Sequence, residues 1–196
     1  DDFAKILKKF VEQLQIESFY LLGHSMGSTL SLAFYRLYPD SVQALILADA
    51  TRGGAAKDGD QNREKLEKRL RDIETMSTTE LAKARVKHLI APHASSEVRE
   101  EAERIYALIR PMGFRSVSYA LYHADETSVL ETIHVPTLVI CGELDQITPV
   151  SESEVIHQGI PQSKLVLIPE TGHLCYQEDP ETFNRHVRSF LQMIRK

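Results

Sequence analysis

The sequence predicts an α/β fold: a mostly parallel sheet of four strands flanked by helices, with an all-helical segment inserted between the second and third strands. Three observations predict it. At both ends of the chain, short apolar runs alternate with amphipathic stretches, the pattern of strands joined by crossover helices. Between residues 51 and 132 the strand-like runs vanish and charge rises. Three chemically capable side chains, Ser25, Asp145 and His173, each come just after a strand-like run. The carboxyl edge of a parallel sheet is where reactive groups gather.

The elements follow in order. Phe3, Ile6, Leu7, Phe10, Val11 and Leu14 share one face of an opening helix, and Asp1 and Asp2 suit its positive end. Residues 19–22 read as a buried strand, and a helix covers about 28–37 until Pro39 and Asp40 break it. Residues 42–48 form the second strand. Four helices are expected in the inserted segment: 62–74, a second opened by Ser77 and Glu80 as a capping box and running to 90, a third over 96–109, and a fourth after Gly113. The strand pattern returns at 137–141. Pro149 opens a helix that Gly159 closes, 164–168 is the fourth strand, and Pro180 starts a last helix with Phe183, Val187, Phe190 and Leu191 on its apolar face. The chain therefore divides into a first core part (1–50), a helical lid (51–132) and a second core part (133–196).

Composition narrows the function. Hydrophobic residues make up 42% of the 196, enough for a core, and the net charge of −5 comes from interspersed signs. No basic stripe points to nucleic acid, and no run could span a bilayer. Cys141 and Cys175 are no disulfide framework; two free buried thiols fit a cytoplasmic protein. His88 and His93 lack a zinc spacing, and neither a metal nor a cofactor is expected.

The chemistry lies in three places. Gly23-His24-Ser25-Met26-Gly27 stands between a buried strand and a helix. A serine on such a turn is presented at a helix N-terminus, where the Met26 N–H and the helix dipole face a developing oxyanion. Glycines on both sides are expected to let backbone pass without a Cβ clash. A serine hydroxyl needs a base, and the base needs an orienting acid. His173, after Gly172 in the last loop, supplies the base. Asp145 in the loop after the third strand supplies the acid, with Glu143 and Asp49 as alternatives; its other reading is a carboxylate capping the helix at Pro149. His24 is expected to be a packing or hydrogen-bonding neighbour.

With these residues in hand, the chain resembles the α/β-hydrolase superfamily. The resemblance rests on Gly-His-Ser-Met-Gly at 23–27, on Pro136-Thr137-Leu138-Val139-Ile140 leading into Gly142-Glu143-Leu144-Asp145, and on Gly172-His173 with Pro180 and Phe183 beyond it. The helical segment is similar to that family's lid. Its placement and Ala48-Asp49-Ala50-Thr51 resemble the branch of 3-oxoadipate enol-lactonases and small carboxylesterases. Serine at position 25 disfavours the relatives that attack with aspartate.

The resemblance implies a serine hydrolase that cleaves a small-molecule ester or lactone through an acyl-enzyme, with no cofactor. Carbon–carbon hydrolases, cofactor-free haloperoxidase-like enzymes and non-enzymatic ligand receptors share the pattern and remain alternatives. It also implies further strands before the opening helix and an early loop donating a second oxyanion N–H. Without them, the strand at 19–22 would be an exposed apolar edge, open to a homodimer partner or a complementing N-terminal fragment. Loss of one oxyanion donor costs on the order of 100- to 1000-fold, so the 196 residues alone are expected to turn over poorly. Met112, Phe114, Tyr119 and Tyr122 are candidates to line the pocket, with helix packing as their ordinary reading, and Arg52, Arg110 and Arg115 are candidates to meet a substrate carboxylate, with solvated surface as the favoured reading of each.

Overall fold

The structure, a computed structural model, describes residues 1–57 and 59–194. Its centre is a parallel sheet in the spatial order β1 (Phe19–His24), β2 (Val42–Ala48), β3 (Thr137–Gly142), β4 (Ser163–Ile168). All three pairings are parallel. Side chains alternate between the faces of a strand, so each strand feeds two cores. Leu45, Leu47 and Val139 face one core, completed by Leu32 and Phe34 of α2 (Met26–Leu37) and Ile156 of α7 (Val150–Gly159). Ala44, Ile46, Leu138 and Ile140 face the other, closed by Phe183 and Phe190 of α9 (Pro180–Ile194). Burial on both faces explains why β2 and β3 read as unbroken apolar runs.

Among the described residues, four α-helices lie between β2 and β3: α3 (Gly59–Thr75), α4 (Thr78–Leu89), α5 (Ser96–Tyr106) and α6 (Pro111–His123). The capping box forms: Ser77 Oγ accepts the Glu80 N–H at 3.2 Å, and Glu80 accepts the Ser77 N–H at 2.9 Å. Two boundaries differ from the sequence reading. Helix α5 stops at Tyr106 rather than 109, and α6 begins at Pro111 rather than after Gly113. A proline at the first helical position lacks only an N–H that would have no partner there anyway. Helix α3 packs on α6 and α4 on α5, so the segment is two helical pairs.

The opening helix α1 (Asp2–Gln13) forms, but its apolar residues do not share one environment. Ala4 and Val11 are buried and Leu7 packs on the α2 core, whereas Phe3, Ile6, Phe10 and Leu14 are exposed. Among the described residues β1 pairs only with β2, and Leu22 on it is 45% exposed. No helix among the described residues is long and apolar enough to cross a membrane.

Candidate active site

Ser25 sits where β1 turns into α2, with φ of 54° in the left-handed region that costs a non-glycine residue energy. The turn is pinned from three sides. The Ser25 N–H donates to the Ala48 carbonyl at 2.9 Å. Ser28 Oγ reaches the Ser25 carbonyl at 2.5 Å and accepts the Thr51 N–H at 2.9 Å. Thr29 Oγ1 donates to the Thr51 carbonyl at 2.8 Å. A Cβ on Gly23 would lie 2.3 Å from the Gly27 carbonyl oxygen, so only glycine fits there. Gly27 is different: a Cβ there meets nothing within 4 Å, and what crowds the turn is its carbonyl, not its missing side chain. Met26 is the first residue of α2, so its N–H has no acceptor within the helix and lies at its positive end.

The structure brings Ser25, His173 and Asp145 together from three loops. His173 Nε2 lies 2.8 Å from Ser25 Oγ, and His173 Nδ1 lies 2.8 Å from Asp145 Oδ2. His173 and Asp145 are 3% and 4% exposed. With its proton on Nδ1, the ring donates to Asp145, and Nε2 is left to accept from the serine hydroxyl. Glu143, the neighbouring alternative, is exposed. Both readings of Asp145 hold at once: Oδ1 accepts the N–H groups of Ile147 (2.7 Å) and Thr148 (3.0 Å), and Oδ2 faces the histidine. Burial alone would raise the Asp145 pKa, but the His173 hydrogen bond and charge, with those of Thr148, hold it below the ordinary aspartate value.

Two neighbours, Thr148 and Glu178, carry no signal in the sequence reading. Thr148 Oγ1 is 2.8 Å from Asp145 Oδ2, 2.9 Å from the Asp49 carbonyl and 3.2 Å from His173 Nδ1. Its one proton serves one acceptor at a time. Asp49, the other alternative acid, is fully buried, and Asp145 rather than Asp49 is the carboxylate on His173 Nδ1. The Asp49 oxygens accept from the Gly142 N–H at 2.8 Å and Cys175 Sγ at 3.0 Å, and one lies 3.4 Å from His24 Nε2. His24 donates through Nε2 to the His173 carbonyl at 2.7 Å, a backbone brace for the base. Glu178, in the short helix α8 (Cys175–Glu178), accepts the N–H groups of Gly172 (2.9 Å) and Ala91 (2.7 Å), tying the histidine loop to the residues after α4.

A cavity of about 200 Å³ opens on Ser25. Thr148 comes from the loop after β3, and Gly54, Asn62, Arg69, Arg85 and Tyr122 come from the helical segment. Of the four aromatic or apolar candidates, only Tyr122 lines it; Met112 and Tyr119 are exposed. The three arginines nominated for a substrate carboxylate are elsewhere. Arg52 is held by Glu152 at 3.2 Å, Arg115 pairs with Glu74, and Arg110 is exposed at the start of α6.

Asp49, Cys141 and Asp145 each bring one potential ligand atom within 4.8 Å of the others. Their chemistry does not suit a cation. Burial pushes the Cys141 thiol up to about 12, so it keeps its proton at neutral pH, and both carboxylates are already engaged. Both cysteines are free and buried.

Residues 1–180 match the family described as alpha/beta hydrolase fold. A Bacillus subtilis (strain 168) protein, provisionally named 2-succinyl-6-hydroxy-2,4-cyclohexadiene-1-carboxylate synthase, is 31% identical over 200 residues, covering 96% of this chain and 71% of that one. The proline iminopeptidase of Heyndrickxia coagulans is 24% identical over 215 residues, covering 99% and 74%. Among solved structures, a malate-bound thermophilic esterase from Thermogutta terrifontis superimposes with a TM-score of 0.89 at 27% identity, covering 98% of this chain and 72% of that one.

Proposed function

This chain belongs to the alpha/beta-hydrolase fold family, and on that premise we propose that it is a serine hydrolase cleaving a carboxylic ester or lactone. The observation that carries the reading is the pair of 2.8 Å contacts linking Ser25 Oγ to His173 and His173 to Asp145. Ser25 Oγ attacks the carbonyl carbon as its proton passes to His173 Nε2. Asp145 holds the tautomer and faces the imidazolium that forms. The Met26 N–H, at the helix end, is the donor offered to the oxyanion. His173 returns the proton to the leaving alkoxide, leaving Ser25 acylated. Water then gives a proton to the same nitrogen as it attacks the acyl carbon, and His173 passes that proton to Ser25 Oγ as the C–O bond to the serine breaks and the acid leaves.

In this reading residues 51–132 act as a lid that shapes the cavity and limits water. An added strand, from a complementing segment or a second copy of the chain, would satisfy the open edge of β1. Light scattering of the purified protein reports which assembly forms.

The test is labelling with a fluorophosphonate followed by intact-mass measurement. One adduct is expected, absent in Ser25→Ala, together with a fall in ester hydrolysis on the order of 10⁴-fold or more. Unchanged hydrolysis by Ser25→Ala would end the reading. The name of the Bacillus subtilis relative favours a second one, in which the same three residues serve a non-hydrolytic reaction. A labelled Ser25 with no turnover of any ester would support it.

A further inference from the structure

We propose that Arg69 and Arg85 form an anion subsite in the cavity that opens on Ser25, and that the ester or lactone cleaved there carries a free carboxylate. The second half rests on the acyl-transfer reading above; the first does not.

Among the described residues, those lining the cavity include Lys57, Lys65, Lys68, Arg69 and Arg85, and no aspartate or glutamate. Some of this charge is compensated from outside the lining. Lys68 pairs with Asp72 at 3.0 Å, and Lys57 lies 3.8 Å from Glu152. The arginines differ. Among the described residues neither Arg69 on α3 nor Arg85 on α4 has a carboxylate within ion-pair distance, whereas the partly buried Arg36 and Arg52 each face one. The Arg85 Nε is buried with no hydrogen-bond acceptor.

An unpaired buried N–H on a cation is costly, and two guanidinium groups brought near each other in a partly buried site repel. Burial and then the charge of Arg85 lower the Arg69 pKa from its ordinary value, yet a guanidinium starts so high that it stays charged at neutral pH. Tyr106 does not neutralise the pair. Burial raises its pKa against the pull of both arginines, so it remains a neutral phenol.

Such a pair fits a planar carboxylate, which two guanidinium forks can grip and hold against rotation. The ligand is small, since the cavity is below the usual range for drug-sized molecules. Because Ser25 lines the same cavity, an anion held by the arginines sits on the molecule whose carbonyl meets the serine.

The experiment compares kcat/KM for 4-nitrophenyl hydrogen glutarate and a neutral 4-nitrophenyl alkanoate of the same chain length. The wild-type protein should prefer the anionic ester on the order of 10- to 100-fold. In Arg69→Gln and Arg85→Gln that ratio should fall at least about tenfold, mainly through KM, while Arg110→Gln, on the exposed surface, leaves it unchanged. Arg69→Lys and Arg85→Lys, which keep the charge and lose the fork, should fall between. A wild-type ratio near one, or ratios unmoved in both glutamine variants, would overturn the proposal.

Calorimetric titration of Ser25→Ala protein with glutarate separates the two readings. Glutarate binding that Arg69→Gln abolishes, with no ester turned over by the wild type, keeps the subsite and removes the acyl-transfer reading. Ester turnover without glutarate binding does the reverse. Inorganic phosphate binding as tightly as glutarate would replace carboxylate recognition with a general anion hole and overturn the substrate assignment.

Discussion

The two walls of the cavity obey opposite electrostatic rules. On the sheet side, each charged or polar group beside Ser25 has a partner within the chain: His173 with Asp145, Asp145 with Thr148, Asp49 with Gly142 and Cys175. On the helical side, Arg69 and Arg85 are partly buried and, among the described residues, have no carboxylate against them. Groups that perform chemistry must be aimed before the substrate arrives, and internal hydrogen bonds aim them. Groups that recognise a ligand must keep their strongest bonds open for it. On the proposed reading, the contrast assigns turnover to the first wall and substrate choice to the second.

Asp145→Asn should break the contrast most severely, by removing the acceptor that fixes the His173 tautomer. Ester turnover should fall on the order of 10⁴-fold with KM little changed, read by steady-state kinetics. The same variant carries a pH signature. Since the Asp145 pKa is held down in the folded chain, its stabilisation is present above the ordinary aspartate value. It is lost as pH falls through the lowered folded value. The melting-temperature gap between wild type and Asp145→Asn should therefore stay constant near neutrality and close only below about pH 4.

Thr148→Val tests a milder loss on the same wall. Asp145 keeps His173 and two backbone N–H groups but loses a hydroxyl donor, so kcat should fall about 5- to 30-fold, a hydrogen bond to a charged group. An equal fall in Asp145→Asn with and without Thr148→Val would show that the threonine acts only through the carboxylate. Smallest is Ser77→Ala, which removes half of the α4 capping box. It should lower the melting temperature by at most a few degrees and leave kcat alone, since the box lies outside the cavity lining.

The sheet-side wall was legible because its signals are local. Gly23 to Gly27, Asp145 after a strand and His173 after Gly172 announce themselves within a few residues, and a parallel sheet brings such positions to one edge. The helical wall was not. Arg69 stands in a run of alternating charge from Arg63 to Asp72 that reads as a solvated helix face, and nothing nearby in sequence marks it as turned inward. Arg52 looked the better carboxylate ligand because its partner, Glu152, is 100 positions away. The opening helix shows the same limit: periodicity correctly gave a helix, but only packing decides that Ala4, Leu7 and Val11 meet the core while Ile6 and Phe10 do not. Gly27 misled in the other direction, because a glycine beside a tight turn need not be there for space.

Glu178 gives the molecule a mechanical character. Its two oxygens hold one amide on each side of a gap, Gly172 beside the base and Ala91 beyond α4. That bridge ties the histidine loop to the chain between α4 and α5, with Leu174 packed into the same small core as Val86 and Ala102. Widening the cavity mouth by swinging this pair would drag the base away from the serine. On the proposed reading, a movement of the α3–α6 pair, which lies outside that bridge, would leave the His173–Ser25 contact in place.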